Sequence, residues 1–437
     1  MESKEIFSKE NLNEKFYSDS FDFYKNVKLK ARYLDVKPIV FNNQNLFLIS
    51  DPYKISPDII VNPIVVLVLS LLDGSNYIND IKSEIFKNTG IMLYDSELYE
   101  LIKFFDDNLF LLNDKFYNVY NKEIEDLKSR GVLKGNLMGI SYPEDPDKAE
   151  EFLFSININD SINELNFDNI FSNDIIALIV PHMDLRVARD TYFKAYKILL
   201  DNIIQNNRVI ENVFILGVSH YYHKNPISVF PLDFETPFGI LKINKELIKK
   251  ISLNLKDTLK DSYFDLFEDI LIYKSEHSIE AQVPYIKLLE KKLADKNNNL
   301  IIKVIPMIIS YGNIDLFSKI IDSFINEIDV SKTIFISSID LSHVGKKFGD
   351  KMSFDPKYYD QKYLDLLLSL KTEDLFYFDN VSKIDGIFTN TFLTLLLNRI
   401  SEINNIKINA KVIDYKKYEE KLMDSIVSYA SVIYFKQ

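Results

Sequence analysis

Residues 175–184, IIALIVPHMD, run six apolar residues without a break and then place Pro181, His182, Met183 and Asp184 in succession. An apolar run with no polar alternation is the mark of a strand buried on both faces, as in a parallel sheet covered by helices. Two later stretches repeat the pattern, NVFILGVSHYYH at 212–223 and TIFISSIDLSH at 333–343. Each ends in histidine, and open α/β sheets bind their ligands just past the carboxyl ends of their strands. The chain has five histidines, and the only one outside these runs is His277, in the acidic-flanked SEHSIE at 275–280. The structural reading is that each imidazole caps a strand or satisfies a core hydrogen bond. With no stray histidine elsewhere, the set reads better as one converging site, and the residue types suit a metal.

The alternation continues around these runs. Strands are expected at 175–181, 212–219, 301–309 and 333–339, with helices at 187–204, 278–293 and 314–328. This predicts an α/β fold with a largely parallel sheet flanked by helices. Residues 1–120 form a different module. Short strands at VKPIVF (36–41) and LFLIS (46–50) precede helical patterns at 60–72, 77–88 and 95–107. A hairpin-like FLLNDKFYNVY (110–120) then completes a small winged-helix α+β plan. The charged stretch 121–136 reads as a helical linker, leaving 137–437 as the second domain.

Composition narrows the function. The chain of 437 residues has 52 basic and 64 acidic side chains, a net charge of −12, so nucleic acid is not an expected partner. Its lysine clusters, such as KLLEKKLADK at 287–296, alternate with acids and read as solvated helix faces. There is no cysteine, which excludes disulfides, thiolate ligands and a cysteine nucleophile and fits a reducing cytoplasm. The opening MESKEIFSKENLNEK lacks the apolar core of a secretory signal. The longest apolar run, PIVVLVLSLL at 63–72, is too short to span a bilayer, so no membrane association is expected.

Within the site, Pro181 fixes the turn that carries His182, and Gly217 permits a tight exit toward His220. His223 either lines a cavity with Tyr222 or is merely exposed. Glu276 and Glu280 bracket His277 as a capping pattern or as carboxylates that orient an imidazole. His343 can act as ligand or as general acid–base, with Asp340 as its orienting partner.

In order along 137–437, the segments PHMD, GVSH, ETPFG (235–239), EHSIEAQVPY (276–285), SSIDLSHVG (337–345) and SIVSYASVIYF (425–435) resemble the Memo family. The form with PHMDLR and an N-terminal extension is similar to the AmmeMemoRadiSam system protein B type. Residues 30–120, through LLDG and the helix after it, resemble PqqD-like winged-helix domains that bind peptides. The resemblance implies a class III extradiol dioxygenase-like sheet domain with a redox-active ion, iron or copper. It also implies that His182 and His220 are ligands and that His343 lines the pocket. The family's third ligand is a cysteine in an ICG-type segment. Here Ile384-Asp385-Gly386 aligns instead, which makes Asp385 the expected third ligand and Fe(II) the expected metal, with copper as the alternative. Asp184, Tyr222 and His223 are then expected to face substrate. The expected function is a non-haem-iron, oxidase- or dioxygenase-like enzyme acting on a small molecule or peptide, in a pathway shared with a radical SAM enzyme. A non-catalytic metal- and peptide-binding adaptor and a metal-dependent hydrolase are the competing readings.

Overall fold

The computed structural model describes residue 24 and residues 26–155, 172–268, 270–294 and 300–437. The reading of residues 1–15 as lacking a secretory signal lies outside them. The chain divides into two compact units, residues 1–126 and 127–437.

In the first unit, β1 (Asp35–Phe41), β2 (Gln44–Ser50) and β3 (Ile59–Val61) form an antiparallel sheet in that order. The hairpin between β1 and β2 turns on Asn42 and Asn43 alone, both at positive φ (49° and 60°), which asparagine tolerates better than most residues. Four helices follow: α1 (Pro63–Leu71), α2 (Ile78–Thr89), α3 (Asp95–Asp107) and α4 (Asp114–Arg130). Asp80 and Glu97 accept the backbone N–H groups of Tyr77 and Tyr94, both at 2.9 Å, satisfying donors that the helix starts leave open.

The terminal β-wing expected at 110–120 does not form, because α4 begins inside it. Asn113 Oδ1 accepts the N–H of Phe116 at 3.0 Å and starts the helix. Phe116 and Tyr120, four apart, then pack on one helical face with ring centroids 5.4 Å apart. The alternating pattern was a helical one read with the wrong period.

The second unit is built on a mixed sheet. Its elements in order are β4 (Val132–Lys134), α5 (Pro146–Phe154), β5 (Ile175–Val180), α6 (Leu185–Gln205), β6 (Asn212–Val218), β7 (Ile227–Val229), β8 (Asp233–Thr236) and β9 (Gly239–Ile243). After these come α7 (Lys245–Leu259), α8 (His277–Glu280), α9 (Val283–Ala294), β10 (Lys303–Ile309), α10 (Ile314–Asp322), β11 (Thr333–Ser338) and β12 (His343–Gly345). The last elements are α11 (Lys357–Leu368), α12 (Thr372–Phe376), α13 (Ile387–Asn404), β13 (Ile408–Glu420) and β14 (Ser425–Lys436).

The centre of the sheet runs β5-β11-β6-β10 and is parallel throughout. Helix α6 packs against β5 and α13 against β6, β10 and β11, so these strands are buried along almost their whole length. Beyond β5 the sheet turns antiparallel. Strand β14 pairs with β5, with its long hairpin mate β13 and with the short β12. The helix expected at 278–293 is split into α8 and α9. Pro284 has no N–H to donate to the carbonyl of Glu280, so the first turn cannot continue.

The strand ends are staged for a site. Ser338 pairs with Val180 on one side and Gly217 on the other, so β5, β11 and β6 finish at nearly one level. Gly217 lies inside β6 rather than at its exit. A Cβ there would stand 2.6 Å from Ser278 Oγ and 2.8 Å from Ile279 Cδ1, so the missing side chain lets α8 sit directly on the strand. Gly217→Ala is therefore expected to cost about 1–3 kcal/mol of unfolding free energy, the usual range for overpacking a core. Urea denaturation measures this, and an unchanged midpoint would contradict the close approach.

Candidate metal centre

His182 lies two residues beyond β5, with its peptide fixed by a buried carboxylate. Asp340 Oδ1, just past β11, accepts the N–H of His182 (3.2 Å) and of Met183 (3.1 Å). The ring of His182 donates from Nδ1 to Ser338 O at 3.1 Å, which directs Nε2 to Asp385 Oδ2 at 3.0 Å. Asp340 Oδ2 stands 3.7 Å from the same Nε2.

His220 lies two residues beyond β6 and is held by Glu276. That carboxylate is 1% exposed and accepts three donors: His220 N–H (2.9 Å), His220 Nδ1–H (2.8 Å) and Ser278 N–H (2.9 Å). With Nδ1 engaged, His220 presents Nε2 to Asp385 Oδ2 at 3.7 Å. Glu276 thus caps α8 and orients His220 with the same oxygens.

Because α8 begins at His277, the cap also brings a third imidazole in. The rings of His220 and His277 stack 4.3 Å apart, and both lie near His182, at 4.8 and 5.1 Å. One ligand atom from each of the three falls within 4.8 Å of the others. Asp385 is delivered by the loop before α13. Its N–H donates to Leu341 O at 3.1 Å, and Gly386 follows at φ +68°, where a Cβ would meet Ile339 Cγ2 at 2.3 Å. Only glycine fits there.

The charges are coupled. Burial pulls the His182 pKa down, but Asp340 and Asp385 outweigh it and the ring lies above its ordinary value. Burial likewise opposes His220, yet Glu276 and Asp385 raise it well above normal. His277 is lowered to about 3 by desolvation and then by the neighbouring His220 and His182, so it is a neutral imidazole. Burial works against ionisation of Asp385, but the two facing imidazoles hold it well below the usual carboxylate range. Where Nε2 of His182 and of His220 both aim at one carboxylate oxygen, a proton or a cation must lie between.

A cavity of about 310 Å³ opens beside this cluster, lined by His182, Asp184, His220, His277, Asp340 and His343. Met183, Lys347, Phe348, Tyr418, Glu420, Ser425 and Val427 complete its wall. His343 donates from Nδ1 to Leu341 O at 3.0 Å and packs edge-on to Phe348. The sequence reading pairs it with Asp340, whereas the Asp340 carboxylate turns to the His182 peptide. Asp184 caps α6 by accepting the N–H of Arg186 at 2.9 Å while lining the cavity. Tyr222 and His223 are not among the lining residues. Tyr222 is exposed, and His223 is buried with Nδ1 3.4 Å from Ser228 Oγ.

Glu280 also lies apart from the imidazoles. Its carboxylate accepts the N–H groups of Asn136 (2.9 Å) and Leu137 (2.5 Å), pinning the chain that leads into the domain. Sequence reasoning missed Gln282 altogether. Fully buried, it donates to Pro181 O (2.8 Å) and Ser338 Oγ (2.7 Å) and accepts from Tyr196 OH (2.9 Å), joining the ends of β5 and β11. Its only signal was an amide in an otherwise apolar helical pattern.

Fold and site together define an α/β protein with an imidazole–carboxylate cluster at the carboxyl ends of its parallel strands. The sequence pattern of the Memo-like protein family matches residues 134–433, and the chain belongs to that family. A MEMO1 family protein of Aquifex aeolicus is 36% identical over 415 residues, covering 94% of this chain and 100% of the relative. Another, from Thermus thermophilus, is 24% identical over 337 residues, 75% of this chain and 92% of that protein. The yeast MEMO1 family protein MHO1 is 32% identical over 176 residues, 39% of this chain and 49% of its own length. The Aquifex alignment reaches well into the first unit as well as the second.

Burial lifts the Glu280 carboxyl to about 7, against the opposing pull of the backbone N–H groups it accepts. Its unfolded value is about 4.3, so its contribution to stability is full below that pH and is lost as pH rises through 7. Glu280→Gln, neutral throughout, is expected to reduce the fall in unfolding free energy between about pH 5 and 8 by about 2–3 kcal/mol. A wild-type-to-variant difference that stays constant over that interval would contradict the assignment.

Proposed function

We propose that the second unit is a non-haem Fe(II) enzyme of redox type, acting on a small molecule or peptide in a modification pathway. The observation that carries this is the aim of His182 Nε2 and His220 Nε2 at one oxygen of Asp385, 3.0 and 3.7 Å away. The donors fit a divalent ion: each of these imidazoles has its Nδ1 taken by a fixed acceptor, His277 adds a neutral ring, and the carboxylate is ionised. Two imidazoles and a carboxylate without sulfur form the set suited to Fe(II), with copper the alternative. His182, His220 and Asp385 would hold the ion, with His277 beside them.

Iron held there would supply one-electron redox chemistry. The chain's own residues do the rest. Glu276 and Asp340 keep the His220 ring and the His182 peptide in place, so the ligand geometry is set before binding. His343, with Nδ1 engaged by Leu341 O, keeps Nε2 for moving a proton to or from substrate in the cavity. Lys347 and Glu420, paired at 2.9 Å, and Tyr418 form the polar wall against which substrate is oriented. The resemblance of PHMDLR and the N-terminal extension to AmmeMemoRadiSam proteins supports a radical SAM partner, and the resemblance of residues 30–120 to PqqD-like domains supports a peptide-binding role for the first unit. Both belong to this proposal.

Metal analysis after expression in medium supplemented with iron and copper tests it. Iron near one equivalent is expected, falling sharply in Asp385→Ala and His220→Ala. Stoichiometric copper without iron, or an unchanged content in Asp385→Ala, would contradict the assignment. The raised pKa values of His182 and His220 mean that both rings hold competing protons at and above about pH 6.5. Fe(II) affinity is therefore expected to keep climbing as pH rises past that point, with proton release on binding, which calorimetry in two buffers measures. Glu276→Gln is expected to weaken binding by about 10–100-fold, the usual effect of losing a carboxylate that orients a ligand.

A further inference from the structure

Asp360 is a buried carboxylate with no basic partner among its described contacts and no part in the chemistry above. It sits on α11, fully buried, and is satisfied by hydroxyls. Ser342 donates to Oδ1 at 2.5 Å and Tyr415, from β13, donates to Oδ2 at 2.7 Å. Burying a carboxylate without a cation is costly, and a fully satisfied buried polar network rigidifies the structure around it.

Its connections reach both loops of the candidate centre. Ser342 stands between Asp340 and His343, and its Oγ lies 2.7 Å from Ser382 Oγ. The N–H of His343 donates to Ser382 O at 3.0 Å, and that of Asp385 to Leu341 O at 3.1 Å. The peptide of Ser342 is clamped to β14, donating to Ser428 Oγ at 2.9 Å and accepting the Ser428 N–H at 3.0 Å. One carboxylate therefore anchors the serine that stitches the 339–343 loop to the 382–385 loop.

We propose that Asp360 is a positioning residue for the metal centre. Through Ser342 and Ser382 it sets the spacing between the loop carrying Asp340 and His343 and the loop carrying Asp385. The inference rests on the metal-centre reading for its consequence, but the tie between the loops is made by the chain's own hydrogen bonds. Removal of Asp360 then shifts Asp385 relative to His182 and His220.

The test combines hydrogen exchange of the metal-free full chain with Co(II) titration, using the ligand-field absorption of cobalt as the probe of coordination. Asp360→Ala, Ser342→Ala and the double variant are compared with wild type. Each single variant is expected to speed exchange in 339–343 and 382–385 together, to alter the cobalt band and to weaken Co(II) binding roughly tenfold, the lower end for orienting groups. The double variant is expected to be no worse than Ser342→Ala alone, since Asp360 acts through that hydroxyl. Tyr415→Phe, which leaves the Ser342 bond intact, serves as the milder variant and is expected to keep the wild-type band. Unchanged exchange in both loops in Asp360→Ala, a wild-type cobalt band, or additive losses in the double variant would each overturn the proposal. Wild type that takes up no Co(II) would contradict the metal centre itself, while the exchange data still decide whether Asp360 ties the loops.

Discussion

The buried carboxylate of Glu276 is the interaction on which the centre depends. A charge so deeply buried is tolerated only when it is well hydrogen-bonded, and three N–H donors hold it. Two come from His220 and one from the first turn of α8. The same two oxygens therefore fix the rotation of one imidazole and the start of the helix that carries another. Gly217 makes the contact possible by giving up its side chain where α8 lies on β6. The helix that makes this approach begins at His277, whose ring stacks on His220.

The rest of the centre is a balance of charge around Asp385. Its carboxylate faces two imidazoles whose pKa values are raised, while His277 stays neutral beside them. An arrangement that draws protons toward one oxygen is also one that a cation can replace, with the ligands already held by hydrogen bonds to Ser338 O, Glu276 and Leu341 O. Similar distances would arise in a purely structural ion-pair cluster. What distinguishes this one is that it borders a cavity and that the Nδ1 of both His182 and His220 is already engaged.

Much of the sheet was legible in the sequence because buried parallel strands carry a plain signal. The runs at 175–180, 212–218 and 333–338 were found within a residue or two, as were the histidines that follow them. The β13–β14 hairpin was not foreseen as a wall of the site, since its alternation reads as an ordinary half-buried strand. Register and helix packing were hidden too. Asp340 was assigned to His343 because the two are near in sequence, yet the turn after β11 directs its carboxylate across to the neighbouring strand end. The segment around His277 reads as a helix cap or as an imidazole beside orienting carboxylates, and His277 does begin a helix, with Glu276 as its cap. That the cap also draws its ring into the cluster depends on the Gly217 contact, which sequence spacing does not convey. In the first unit, the segment at 110–120 shows how a run of aromatics can satisfy a period of two and a period of 3.6 alike until a capping asparagine decides.

Anomalous diffraction from crystals of the iron-loaded chain, collected on either side of the iron edge, tests the central claim most directly. The account predicts a single iron peak within about 2.0–2.2 Å of His182 Nε2, His220 Nε2 and an oxygen of Asp385, the range for nitrogen and oxygen ligands. A peak bound elsewhere, or a fully loaded crystal in which Asp385 stays paired to the imidazoles with no ion between them, would contradict it.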